Sequence, residues 1–484
     1  MSKQSFGAFL PGYEYIPDPE PYVFGDRVYI FGSHDKFGGK KFCLNDYVCY
    51  SAPIDDLADW RYEGVIYRKE QDPENADGKM QLYAPDVAQG SDGRYYLYYC
   101  LSKEGCGISV AVCDSPAGKY EFLGFVKDEQ GNVIGKRAGD TIPFDPAVLV
   151  DDDGRVWLYS GNGPRALGHD KKRHKAQVCM ELESDMITLK AEPVPILPTL
   201  HNEAGTGYEG HAFFEASSIR KFGSKYYLIY SSVQFHELCY AISDKPDRDF
   251  VYAGVLISNG DIRPESDVKI SFNGKANMLI KNYIGNNHGS IIEIDGKYYV
   301  VYHRHTNRNM FSRQVCAAEI KINPDGTFEQ AEMTSQGFNG KPLDGKGKYE
   351  ARIACQLYSK HGALFSVHPF VQNKKHPALT QDGKDREDNS NQHISNMCDG
   401  ATAVYKYFDF DNVSSVTVSV RGEGGGNLLV RTKREADAVA NIAIKPSKDW
   451  TQFNAKLQIP SGVHALYFTY EGKYAVDFLD FAIV

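Results

Sequence analysis

Five segments of the chain repeat one pattern, a glycine turn followed by alternating aromatic and aliphatic residues. They are GDRVYIFGS from Gly25, GRYYLYYC from Gly93, GRVWLYSG from Gly154, GSKYYLIYSS from Gly223 and GKYYVVYHR from Gly296. Alternation of period two that begins at a turn reads as the second strand of a β-hairpin. The glycines recur roughly every 60–75 residues, the spacing of large four-stranded propeller blades. The repeat predicts an all-β fold in which residues 1–330 form a five-bladed β-propeller around a central channel.

The strand before each glycine carries a polar residue at a matching offset. Asp18, Asp86, Asp145, Glu215 and His288 lie seven to nine residues upstream of their glycines. Innermost strands start near a propeller axis, so these side chains are expected to converge at the channel mouth. A single Asp-Pro could be read as a turn former. Five coincident polar positions point instead to a site.

Four carboxylates and a histidine suit glycosidic hydrolysis, which needs one carboxyl to protonate the leaving oxygen and another to activate water or attack the sugar. Glu215, in FFEASS, follows two phenylalanines whose apolar wall raises a carboxyl pKa and suits the acid. Asp18, in PDPEP, suits the ionised base. Asp145, one blade before Glu215, adds a negative charge that keeps the acid protonated. The first and fourth blades lie across the ring. That leaves room for a sugar and a water, and an inverting mechanism with carboxyls ~6.5–9.5 Å apart.

The motifs LPGYEYIPDPEPYVFGDRVYIFGSHD, YAPDVAQGSDGRYYLYY, FDPAVLVDDDGRVWLYSGNG, FFEASSIRKFGSKYYLIYSS and NNHGSIIEIDGKYYVVYHR together resemble glycoside hydrolase family 43, from residue 5 to about 325. The resemblance implies an inverting enzyme acting on arabinose and xylose linkages. Asp18 would be its general base, Asp145 its pKa modulator and Glu215 its general acid. It also implies a channel Ca2+ held by His288 and waters, the alternative being a hydrogen-bonded core histidine. Arg304, in YHRHTN, resembles a family arginine that binds sugar hydroxyls. His34 and Asp35, in GSHD, either line the same pocket or pin loops. Asp86 is read as a pocket or loop-pinning residue. Trp60 reads as blade core, DDDGR as a hairpin turn, and TKREADA and KDREDNS as solvated surface.

After Gln330 the chain turns rich in Gly and Lys (GFNGKPLDGKGK), and residues 331–348 read as a linker. Beyond it, SSVTVSVRG, GNLLVRTK, WTQFNAKLQIP and HALYFTYEG are period-two strands that predict an antiparallel β-sandwich over 349–484. This part resembles carbohydrate-binding modules of family 6. That resemblance implies a second Ca2+, for which Glu350 and Asp477 are the candidates. Tyr405, Tyr407 and Trp450 are candidate sugar platforms, with core packing as the alternative role of the domain.

A net charge of −9 argues against nucleic-acid or anionic-membrane surfaces. No apolar run approaches the ~20 residues of a membrane span, and MSKQSFGAFL lacks a signal-peptide core. The ten cysteines are scattered, and Cys49, Cys100 and Cys316 read as buried reduced thiols. The expected location is the cytoplasm, and the expected substrates are short oligosaccharides containing arabinose or xylose. The leading expectation is an exo-acting α-L-arabinofuranosidase, with β-D-xylosidase or dual activity next to it. A retaining fructosidase-type propeller would carry RDP where this chain has FDP at Phe144–Pro146. A sugar-binding propeller without catalysis would need no protonated acid opposite a base.

Overall fold

A computed structural model describes residues 3–103, 105–164, 176–263, 276–364, 376–388 and 391–484. The chain is all-β. Among the described residues, four antiparallel four-stranded sheets (I to IV) and a three-stranded sheet (V) follow one another, and a mixed sheet (VI) and an antiparallel sheet (VII) end the chain. The first strands of sheets I to V are Glu20–Phe24, Leu82–Gln89, Ala147–Val150, Phe213–Phe222 and Gly289–Ile294. The five repeats are the second strands: Arg27–Phe31, Tyr95–Leu101, Val156–Gly161, Lys225–Ser232 and Lys297–His305. All five repeat glycines have φ between 60° and 82°, the left-handed turn conformation that favours glycine.

Alternation in the second strands serves two buried faces. In sheet II, Leu97 and Tyr99 pack with Phe31, Tyr47 and Cys49 of sheet I. Tyr96 and Tyr98 face the other way, against Val148, Leu158 and Val178 of sheet III. Further cores join III to IV, around Tyr159 and Leu228, and IV to V, around Ile229 and Val300. A fifth joins V back to I through Tyr299, Val301, Val28 and Ile30. The five sheets are thus linked in cyclic order by apolar cores, each fully buried aliphatic side chain contributing about 1.5–3 kcal/mol.

Among the described residues sheet V has three strands, one fewer than sheets I to IV. The N-terminal segment covers its outer edge: Ala317 N donates to Gly7 O at 2.9 Å, and Gly7 N to Ser335 O at 2.9 Å. A Cβ on Gly7 would stand 2.5 Å from Thr334 O, so the close approach requires glycine.

Sheets VI and VII share one core, in which Tyr405 and Phe468 of VI pack on Phe481 of VII at ring distances of 4.8 and 5.0 Å. Residues 331–348 are folded, contrary to the expected linker. Ala331, Met333, Phe338 and Leu343 are buried, and Leu343–Asp344 and Gly347–Glu350 are strands of VI and VII. The Gly and Lys content marks turns between buried residues here. Tyr405 is fully buried and donates to Ala351 O, which removes it as a sugar platform. Eight of the ten cysteines are buried, including Cys49, Cys100 and Cys316, as expected of core thiols.

Candidate active site

A cavity of about 440 Å³ opens where the first strands of sheets I to V begin. Asp18, Asp145, Glu215 and His288 line it, with Arg313, Asn286, Ala84, Cys43, Met310 and the rings of Phe42, Tyr83, Phe144, Phe214 and Phe235. Asp18 and Asp145 have φ of 54° and 46°, and Ala216, next to Glu215, has φ of 68°. Non-glycine residues enter this region at a cost of order 1 kcal/mol, which surrounding structure must impose. The strand through Glu215 is also bulged on both sides of that residue. At three carboxylates the backbone is therefore turned out of regular strand geometry. A Cβ on Gly289, next to His288, would stand 2.0 Å from Val301 O, so only glycine allows the strand pairing there.

Asp18 is held from two sides. Arg313 Nη1 donates to its Oδ1 at 2.9 Å, and its N–H donates to His303 Nδ1 at 3.3 Å. His303 Nε2 lies 2.8 Å from Asn286 O. That assigns the proton to Nε2 and leaves His303 neutral, in line with a pKa driven well below the ordinary value by burial and then by Arg313. Asp35 fixes Arg313 by accepting from its N, Nε and Nη2 at 2.9–3.0 Å.

Asp145 Oδ2 accepts from Ala216 N at 2.9 Å and lies 3.8 Å from His288 Nδ1. Burial pushes its pKa up to about 8; His288 opposes the rise, while Glu215 and Asp18 add to it. Asn162 Nδ2 donates to Glu215 Oε2 at 3.4 Å, and the Phe214 ring packs on Phe235 at 4.8 Å. Three carboxyls thus face one cavity lined largely by aromatic rings, and burial favours the protonated form of Asp145.

Four expected site residues stand elsewhere. Asp86 is fully buried, accepting from Tyr22 Oη at 2.6 Å, Val87 N at 2.8 Å and Val148 N at 2.7 Å. It ties sheets I, II and III together, and the cavity wall of sheet II is Tyr83 and Ala84. Arg304 is buried against the C-terminal part, donating to Arg352 O, Ala354 O and Gln314 Oε1 at 2.9, 3.1 and 2.9 Å. Asp35 acts one step behind the cavity, on Arg313. His34 likewise stands behind it, with Nδ1 2.8 Å from Asp46 O and Nε2 3.1 Å from Arg386 Nη1.

Glu350 and Asp477 are not brought together. Glu350 lies opposite Asp480 in sheet VII and pairs with Arg352. Asp477 stands three residues back along the strand from Asp480, about 10 Å away at strand rise, and accepts from Asn396 N and Arg421 Nε. Two separated, arginine-bound carboxylates do not form the cation site expected of them. Arg313 and Asn286 are the site residues that sequence reasoning missed. Arg313 opens the strand RQVCAAEI after YHRH, in which Glu319 is a second charge, so the strand alone did not single it out.

A family model described as glycosyl hydrolases family 43 matches residues 13–328. A xylosidase/arabinosidase of Thermoclostridium stercorarium is 50% identical over 484 residues, covering 100% of this chain and 99% of that protein. An arabinoxylan arabinofuranohydrolase of Paenibacillus polymyxa is 24% identical, over 94% of this chain and 70% of its own length. The crystal structure of a family 43 arabinoxylan arabinofuranohydrolase from Bacillus subtilis, in complex with cellotetraose, matches with a TM-score of 0.50 at 19% identity, covering 100% of both chains.

Proposed function

This chain belongs to family 43 of the glycosyl hydrolases, and on that premise we propose an inverting, exo-acting hydrolase that releases α-L-arabinofuranosyl groups from arabinoxylan-derived oligosaccharides. The observation that carries the reading is the convergence of Asp18, Asp145 and Glu215 on one cavity with Arg313 bonded to Asp18. In this reading Asp18 is the general base. It takes a proton from a water, whose oxygen bonds to the anomeric carbon as the glycosidic C–O bond breaks. Glu215 gives its proton to the leaving oxygen, and Asp145 sets the proton balance of the pair. Asn286 Oδ1 is a buried acceptor with no donor among the described residues, and a sugar hydroxyl would satisfy it.

The architecture in this reading is a five-bladed β-propeller, sheets I to V, followed by a β-sandwich of sheets VI and VII. The cyclic order of the five cores supports the first assignment, and the core shared by the last two sheets supports the second. β-D-Xylosidase activity is a second reading. It is favoured by the dual name of the relative that matches over the whole chain.

The residues near His288 fit a hydrated cation such as Ca2+. His288 Nε2 is 3.7 Å from Glu20 Oε1, too long for a hydrogen bond. That oxygen is buried with no hydrogen-bond partner among the described residues. His288 would be the direct ligand and Glu20 the nearest countercharge. The ion would supply positive charge beside Asp145 and bridge the first strands.

The test is hydrolysis of 4-nitrophenyl α-L-arabinofuranoside against 4-nitrophenyl β-D-xyloside, with the anomeric form of the first product read by NMR. Preference for the first substrate with inversion is expected. Preference for the xyloside would make the second reading the correct one, and retention of configuration would remove the base role of Asp18.

A further inference from the structure

The charged run KDREDNS reads as solvated surface, yet the side chains of Asp385 and Arg386 are docked on sheet I; its last two residues, Asn389 and Ser390, lie outside the described residues. Asp385 Oδ1 accepts from Phe37 N at 2.6 Å, and its Oδ2 from Asn45 Nδ2 at 3.1 Å. Phe37 and Asn45 lie in the loop between the second and third strands of sheet I, on either side of residues 38–44. That loop delivers Phe42 and Cys43 to the cavity. Arg386 Nη1 donates to His34 Nε2 and lies 3.5 Å from Glu14 Oε2, a carboxylate with 2% exposure. Its guanidinium also covers the Tyr62 ring at 5.0 Å.

The preceding strand, Ala378–Gln381, grips a second loop. Asn307 N donates to Leu379 O at 2.7 Å, Thr380 Oγ1 to Asn307 Oδ1 at 3.2 Å, and Arg308 Nε to His376 O at 3.2 Å. Residues 306–312 carry Met310 into the cavity and lead into Arg313. The two loops meet over that arginine. Phe42 and Phe311 are 4.9 Å apart, edge to face, and the Arg313 guanidinium lies 4.7 Å from the Phe42 ring centre.

We propose that residues 376–388 are a positioning element of the active site, in which Asp385 sets the loop carrying Phe42 and so the fit of the sugar in the cavity. The sheet I loop contains Gly38, Gly39, Lys40 and Lys41, with few side chains able to pack it down. Cys43 N donates to Asp35 Oδ1 and Asn45 N to His34 O, and Asp385 adds an external anchor on either side of residues 38–44. The two parts of the chain are also joined away from the cavity. Arg304 donates to Arg352 O and Ala354 O, Arg352 to Ala8 O and Leu10 O, and Lys406 to Glu332 Oε1. Removing Asp385 therefore leaves the joint in place and frees the loop. The proposal rests on the cavity being the sugar site.

Asp385→Ala and Asp385→Asn test it, the asparagine keeping an acceptor for Phe37 N. In Asp385→Ala, KM for the better 4-nitrophenyl glycoside should rise about tenfold while kcat stays within about twofold. Asp385→Asn should recover part of the rise. Hydrogen exchange, measured without substrate, should quicken in peptides covering residues 37–45 and stay unchanged in those covering Arg304 and Arg352. Unchanged KM, or unchanged exchange in residues 37–45, would overturn the proposal. So would faster exchange spread through sheets VI and VII, which marks Asp385 as general structural glue. Because exchange needs no turnover, a failure of the substrate assignment and a failure of this proposal read differently.

Discussion

Charged groups form two tiers where the first strands of sheets I to V meet, and the tiers are treated in opposite ways. In the inner tier, Glu20, Asp86 and Arg220 are linked directly or through Tyr22, while Glu20 Oε1 has no hydrogen-bond partner among the described residues. Arg220 donates to Glu20 Oε2, Tyr22 Oη, Pro21 O, Ile219 O and Ile291 O at 2.6–3.2 Å, and Tyr22 passes a hydrogen bond on to Asp86. Ser218 Oγ lies 3.0 Å from Glu20 Oε2 and 2.7 Å from Ser290 Oγ. In the cavity tier, Asp18, Asp145, Glu215 and His288 border open space, and two of the carboxylates sit on strained backbone. Residue type does not separate the tiers. What separates them is what each faces: a carboxylate enclosed by the first strands ties them together, and one that borders the cavity is within reach of a substrate.

Mutations should split the tiers cleanly. The largest effect is expected in the cavity tier, where Asp18→Asn should lower kcat/KM by about 10³–10⁴-fold, for activated and natural substrates alike, with little change in thermal midpoint. Glu215→Gln should cost less as the leaving group improves, and equal losses across a leaving-group series would contradict an acid role. In the inner tier Arg220→Met should cost about 3–5 kcal/mol of stability, because it leaves a buried Glu20 without its cation. Urea unfolding would measure that loss, and the folded fraction should keep its kcat. A large fall in kcat at intact stability would merge the two tiers.

A smaller effect concerns Glu14, behind the cavity. Burial raises its pKa to about 7, against the lowering effect of Arg386. Between the ordinary carboxyl value and 7 the folded chain holds a proton that the unfolded chain has released. Its contribution therefore makes the protein less stable as pH rises through that window. Glu14→Gln should flatten this part of the dependence of Tm on pH, and an unchanged slope would place the titration elsewhere. Smallest, a chelator should lower Tm by a few degrees if an ion sits beside His288; an unchanged Tm would leave His288 to its side-chain neighbours.

Sequence reasoning reached the cavity tier through a count of residues from each glycine, and that count explains one error. The hairpins of sheets I and V turn over two residues, pairing Phe24 with Arg27 and Ile294 with Lys297. Those of sheets II and III turn over five, pairing Gln89 with Tyr95 and Val150 with Val156. A longer turn must be matched by a longer offset. Asp145 has it, at nine residues, whereas Asp86, at seven, falls one tier inward. The second error is a matter of register. Arg304 pairs with Gln314 and His305 with Arg313, so Arg304 and Arg313 are one step apart across the ladder. One step reverses the face of a strand, turning Arg304 to the C-terminal part and Arg313 to Asp18.

From the sequence alone came the five hairpins, their order and the strand starts that carry Asp18, Asp145, Glu215 and His288, because period-two alternation and glycine turns are local properties of the chain. Only the tertiary structure decided which charges are spent in holding strands together and that Arg313, not Arg304, serves the cavity. It also decided that a run resembling solvated surface braces a loop of sheet I from 340 residues away. Those outcomes depend on turn length, register and the docking of distant segments, and each is set by packing between sheets that no local pattern encodes.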